Sequence, residues 1–182
     1  MTFCCSGLFT SNHLPPLIQM RLTKPAVASY LMHHLSKNEF WAGHLRQKTL
    51  PTIHLAIFRD PYLQYIVEGR KTIETRFSRV ACAPYSKVAS GDIVLLKKTG
   101  RPVSNVCVVK KTWFYVLDPG SLKFIREKFG ESICPASDSF WEDRKRAVYA
   151  TLMLIDQVTP LHSLVVEKRD RRGWVVVKDE TK

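Results

Sequence analysis

The sequence predicts an α+β domain in which a curled sheet closes into a small β-barrel, with two or three short helices and an N-terminal appendage. Six or so short apolar runs, each bounded by turns rich in Gly, Pro, Ser or Asp, read as strands. Helical patterns are few and do not alternate with the strands, which disfavours a doubly wound parallel sheet. Closing the sheet on itself is the natural way for so many short strands to hide their edges.

The elements follow in order. Residues 1–50 carry the Cys4-Cys5 pair, a Pro15-Pro16 break and one helical stretch from Pro25 to Leu35, and read as an N-terminal extension, partly helical or disordered. The pattern changes at the domain proper, residues 51–178. Ile53 to Phe58 is a short apolar strand. Asp60 is a candidate N-cap with Pro61 at the first helical position, and Tyr62, Leu63, Tyr65, Ile66 and Val67 give a two-turn helix its apolar stripe. Gly69 stands where a left-handed residue ends that helix, and Lys71 to Phe77 continues as a strand. Ser90-Gly91-Asp92 turns into the strand Ile93 to Leu96, and Thr99-Gly100-Arg101-Pro102 into the long strand Val103 to Phe114. Asp118-Pro119 or Ser121 starts a helix carrying Leu122, Ile125 and Phe129 that Gly130 is expected to stop. A short helix is expected from Phe140 to Arg146 and a strand from Tyr149 to Val158. The Arg169 to Gly173 turn leads into a closing strand, Trp174 to Val177.

Charge is what bears on function. A net charge of +12 makes a phosphate-rich polymer the default partner. No run of apolar residues is long enough to span a bilayer, so no membrane partner is expected, and the first twenty residues lack the basic start of a secretory signal. Five irregularly spaced cysteines without a C-x-x-C fit reduced thiols in a cytoplasmic protein better than a disulfide framework or a metal site. Neither G-x-G-x-x-G nor G-x-x-x-x-G-K-[ST] occurs, and no cofactor is expected.

The polar chemistry concentrates at Gly69-x-Lys71-x-x-Glu74-x-Arg76. Strand alternation turns Ile73 and Phe77 to the core and brings Glu74 and Arg76 together on the open face, with Lys71 able to reach them from the turn. An exposed ion pair would produce the same pattern. Against it stands the crowding of charge: between Gly69 and Lys111, ten Lys and Arg face only Glu74 and Asp92. Among the aromatics, Tyr62 and Trp113 are candidates for stacking a base, while Trp174 reads as structural. His33, His34 and His54 have no partner at a telling spacing.

The run from Phe58 to Arg76 resembles the ASCH domain, a relative of the PUA β-barrel, with its G-x-K-x-x-E-x-R signature. Gly91-Asp92-Ile93-Val94, Phe140-Trp141, Tyr149 to Leu152 and Lys168 to Val175 are similar to segments of bacterial members. The resemblance covers about Ile53 to Val177. It implies a barrel with the signature in a cleft and a role in binding RNA, some members being hydrolases of acylated nucleosides or RNA. In the amidohydrolase branch the signature lysine, here Lys71, works with a threonine three residues later and a glutamate on the following helix. In this sequence the threonine position is Glu74, and the second acid is Glu127 or Glu131.

Two readings follow. In the first, RNA or a nucleotide is bound by Tyr62, Gly69, Arg70, Lys71, Arg76, Lys97 and Lys98, with Arg76 clamping phosphate or a base edge. In the second, a hydrolase activates water through Lys71 with Glu74 or Glu131. A protein-interaction domain is a third alternative.

Overall fold

The structure is a computed structural model that describes residues 18–167 and 172–179. The Cys4-Cys5 pair, the Pro15-Pro16 break and most of the Arg169–Gly173 turn lie outside the described residues.

The fold is α+β. Its spine is an antiparallel ladder between two long strands, β5 (Val103–Val116) and β6 (Tyr149–Glu167). Register shifts at three points along β5, together with Gln157 at φ 55, bend this ladder, since a bulge locally sharpens strand twist. Beside β5 lies β4 (Ile93–Lys98). Next come β2 (Ile53–Phe58), parallel to β4, and β7 (Trp174–Val176), antiparallel to β2. The other edge of β6 is shared. β1 (Ile18–Arg21) runs parallel to its far end and β3 (Ile73–Ser78) antiparallel to its beginning. The seven strands form one sheet in the order β1-β6-β5-β4-β2-β7, with β3 on β6.

The expected barrel does not close by backbone pairing among the described residues. β7 takes the free edge of β2, so β3 has no ladder there. A side chain spans the gap instead. Arg76 of β3 donates from Nη2 to the Ile57 carbonyl at 3.2 Å and from Nη1 to the Gly173 carbonyl at 3.0 Å.

Within residues 18–50 the expected helical stretch forms, and the segment packs on the sheet. Beyond β1, helix α1 (Lys24–Leu35) and helix α2 (Glu39–Leu45) pack on the sheet. Val27, Leu31, Leu35, Trp41 and Leu45 share one core with Ile53, Leu55, Ile93, Leu95, Val106 and Val108. Each such buried side chain contributes about 1.5–3 kcal/mol relative to an exposed one. Trp41 also donates from Nε1 to Thr159 Oγ1 at 2.8 Å.

Alternate residues of the same strands face the inside of the curl. Ala56, Phe58, Val94, Leu96, Cys107, Val109, Met153 and Trp174 form a second core, plugged by Leu63 and Ile66 of α3 (Tyr62–Val67). The third core lies under α4 (Pro119–Ile133), whose Ile125, Phe129 and Ile133 pack against Ile73, Ala150 and Leu152.

Several boundaries move. The Asp60 carboxylate pairs with Lys98 Nζ at 2.6 Å, and Pro61 rather than Asp60 occupies the N-cap of α3. Asp118 and Ser121 form a reciprocal capping box on α4. Gly130 does not end that helix. The apolar stripe continues to the fully buried Ile133, which outweighs the ~1 kcal/mol cost of an interior glycine, and Cys134 makes the left-handed turn at φ 51. The expected Phe140–Arg146 helix is two single 3₁₀ turns, Asp138–Phe140 and Glu142–Arg144.

Candidate functional site

The signature is built from α3 outward. Gly69, at φ +74, reverses the chain after the helix, a conformation that L side chains rarely adopt. The Lys71 N–H donates back to the Tyr65 carbonyl at 2.9 Å, which fixes the start of β3. Along β3, Glu74 lies opposite Met153 and Arg76 opposite Thr151, so both point into the curl, whereas Ile73 packs against α4.

The Lys–Glu–Arg group forms, with Lys71 and Glu74 buried and Arg76 part-buried. Lys71 is 2% exposed and Glu74 6%. Lys71 Nζ donates to the Ile73 and Ile133 carbonyls, each at 2.9 Å, and lies 3.5 Å from Glu74 Oε2. The Ile133 carbonyl belongs to the last turn of α4, where a cation complements the helix dipole. Arg76 Nε lies 2.8 Å from Glu74 Oε1 without forming a directed hydrogen bond. The Arg76 guanidinium also faces the Phe58 and Trp174 rings at 5.0 and 5.3 Å. Glu74 is therefore held between two cations, and the expected open face is an interior. Burial pushes the Lys71 ammonium below its usual range, while Glu74 works in the opposite direction.

Above this floor opens a cleft of about 1050 Å3. Its described lining holds eight cations, Arg59, Lys71, Arg76, Arg79, Lys97, Arg144, Arg146 and Arg172, against two acids, Glu74 and Asp143. Tyr62, Phe58, Phe77 and Phe140 supply aromatic wall.

Of the residues singled out from sequence, the cleft brings together Tyr62, Lys71, Glu74, Arg76 and Lys97. Gly69 shapes the turn behind them. The others stand elsewhere. Arg70 is exposed, paired with Glu68 at 2.6 Å and laid over the Tyr65 ring. Lys98 is taken up by Asp60. Glu131 is exposed on α4 and, like Glu127, which lies 3.8 Å from Lys123, is not among the lining residues. Trp113 packs on Phe129 of α4.

Two features escaped the sequence reading. One is the arginines Arg59, Arg144 and Arg146, of which the last two were signalled only by the basic run that follows Phe140-Trp141. Arg144 is half-buried, and burial draws its pKa down. The other is His54, fully buried, whose Nδ1 accepts from Trp174 Nε1 at 3.2 Å. That leaves its Nε2 proton to donate to Asp92 Oδ2 at 3.0 Å. This chain backs the Trp174 ring on which Arg76 rests. No spacing rule links residues 54, 92 and 174.

No family model matches the chain, and no curated protein matches it. Solved structures do. The chain is similar to ASCH from Zymomonas mobilis, at 17% identity over 59% of this chain and 69% of that one, with a TM-score of 0.47. It is similar to a Ser-to-Ala variant of the same protein, at 16% over 61% and 72%, with a TM-score of 0.49. It is also similar to hypothetical protein PH0355, at 17% over 59% and 97%, with a TM-score of 0.41. The first two bear the name of the family whose signature Gly69 to Arg76 resembles.

Proposed function

We propose that this protein is an ASCH-type module that holds RNA or a nucleotide in the cleft above Lys71, Glu74 and Arg76. The observation that carries the reading is the charge of the lining, eight cations to two acids around an opening large enough for a nucleotide. Such an imbalance in a walled cleft focuses positive potential and draws anions. Tyr62 and Phe77 offer apolar surface on which a base can stack. The test is titration of the full chain with single-stranded and structured RNA at several salt concentrations. Affinity that falls as salt rises is the expected result. Salt-independent binding, or none, would sink the reading.

The hydrolase alternative is favoured by one observation. Lys71 lines the cleft, and burial lowers its pKa towards the range of a base. The two carbonyls and Glu74 that surround Nζ weigh against it, because they hold the proton a base must shed. Incubation with acetylated cytidine and with RNA separates the readings: turnover lost in Lys71→Ala would favour catalysis.

A further inference from the structure

We infer that Arg144, rather than Arg76, is the phosphate seat of this cleft, taking two phosphate oxygens on the edge formed by its Nε and Nη2. The inference rests on the nucleotide-binding reading and locates the anion within it.

Arg76 is the obvious candidate from sequence, but the protein already uses it. Its two terminal nitrogens donate to the Ile57 and Gly173 carbonyls, and its Nε faces Glu74. Moving it to meet a ligand would open the gap between β3 and β2.

Arg144 is built the other way. Its guanidinium carbon lies 3.4 Å from the centroid of the Phe140 ring, and Nη1 donates to the Phe140 carbonyl at 2.6 Å. Those two contacts fix the plane and the roll of the group. Nη2 has no protein partner among the described residues. Nε is buried with no hydrogen-bond partner, a condition that costs ~1–3 kcal/mol until an acceptor arrives. Nε and Nη2 are the parallel donors with which arginine grips phosphate two-pronged. Arg144 belongs to a cleft lining with excess positive charge, where Arg59, Arg79 and Arg146 have no ion pair among the described residues. A phosphate offers paired oxygens to the fork, and a terminal phosphate or a run of phosphodiesters brings more negative charge to that surplus than a single carboxylate.

Two measurements on the full chain test the seat. In the first, Arg144→Lys keeps the charge but removes the fork, and RNA affinity is expected to fall about tenfold or more. Lys123→Ala, on the exposed face of α4, is the charge control and is expected to stay within about twofold. In the second, the Arg144 Nε–H resonance of the wild type is followed during titration with inorganic phosphate and, separately, acetate. It is expected to move with phosphate and not with acetate. RNA binding that survives intact in Arg144→Lys overturns the seat while leaving the RNA reading standing. If wild type binds no RNA, that reading falls, and the phosphate titration judges the seat by itself. A resonance that phosphate leaves unmoved, or that acetate moves as far, overturns it. The second measurement needs no variant to fold.

Discussion

Two sets of cations face the same cleft and are built in opposite ways. The inner set is Lys71, buried, and Arg76, part-buried; their nitrogens donate to backbone carbonyls, one of them at the end of α4, and both lie against the Glu74 carboxylate. The outer set, Arg59, Arg79 and Arg146, is exposed and carries no ion pair among the described residues. Burial explains the difference. A cation withdrawn from water must have its charge and each of its donors matched, whereas an exposed cation keeps its water until a ligand replaces it. The inner set is therefore read as a tie that holds the curled sheet together, and the outer set as the part that meets an anion. Arg144 stands between them, oriented like the first and open like the second.

The most forceful way to break this contrast is to remove the inner anion. Glu74→Gln leaves the buried Lys71 and the part-buried Arg76 beside each other with no countercharge. Breaking a buried pair in this way costs about 3–5 kcal/mol. In a chain of this size that corresponds to a melting temperature lower by on the order of 10 °C, measured by calorimetry. A variant that melts within a degree or two of the wild type would mean the inner trio is not structural.

The outer set should respond in the reverse sense. Replacing Arg59, Arg79 and Arg146 together by alanine is expected to change stability by no more than about 0.5 kcal/mol per site, because each side chain is exposed. RNA affinity should suffer instead. Each lost phosphate contact lowers the slope of log affinity against log salt by about 0.7 for a single strand, so three contacts lower it by about 2. An unchanged slope would place the anion elsewhere on the molecule.

Much of this contrast was legible in the sequence, though not its sense. The Gly69–Arg76 signature, the helix before it and the basic surplus all follow from local pattern: a turn glycine, an apolar stripe, alternation along a strand. What could not be read was which face of β3 is covered. Alternation puts Glu74 and Arg76 on one side, but it cannot say that this side forms the floor of a cleft rather than an open face. For the same reason Arg76 looked like a ligand clamp, since its carbonyl partners lie on β2, at Ile57, and just before β7, at Gly173, in other parts of the chain. Residues 24–50 looked loose because the burial of Trp41 and Leu45 depends on a sheet formed mostly by later sequence. Arg144 was hidden by a mistaken helix. As part of a continuous Phe140–Arg146 helix it would be one charge among several. As the last residue of a 3₁₀ turn it folds back over Phe140.

The subtlest test concerns the sign of the Lys71 contribution. Burial lowers its folded-state pKa below the ordinary 10.5, whereas Glu74 pulls the value back up. If burial prevails, the unfolded chain holds the Lys71 proton more tightly than the folded one. Between the two pKa values the unfolded state then binds more protons, and the stability assigned to Lys71 rises with pH. Below the folded-state value the cost of burying the charge is present in full and does not vary. Comparing wild type with Lys71→Met isolates this part, because the other titrating groups largely cancel. The stability difference should therefore shift in favour of the wild type as pH climbs through the window that ends at 10.5, read from denaturant midpoints. A shift the other way would mean that Glu74 outweighs burial. The inner set would then be a favourable ion pair rather than charges held in place by the geometry around them, and its contrast with the exposed rim would narrow to one of accessibility alone.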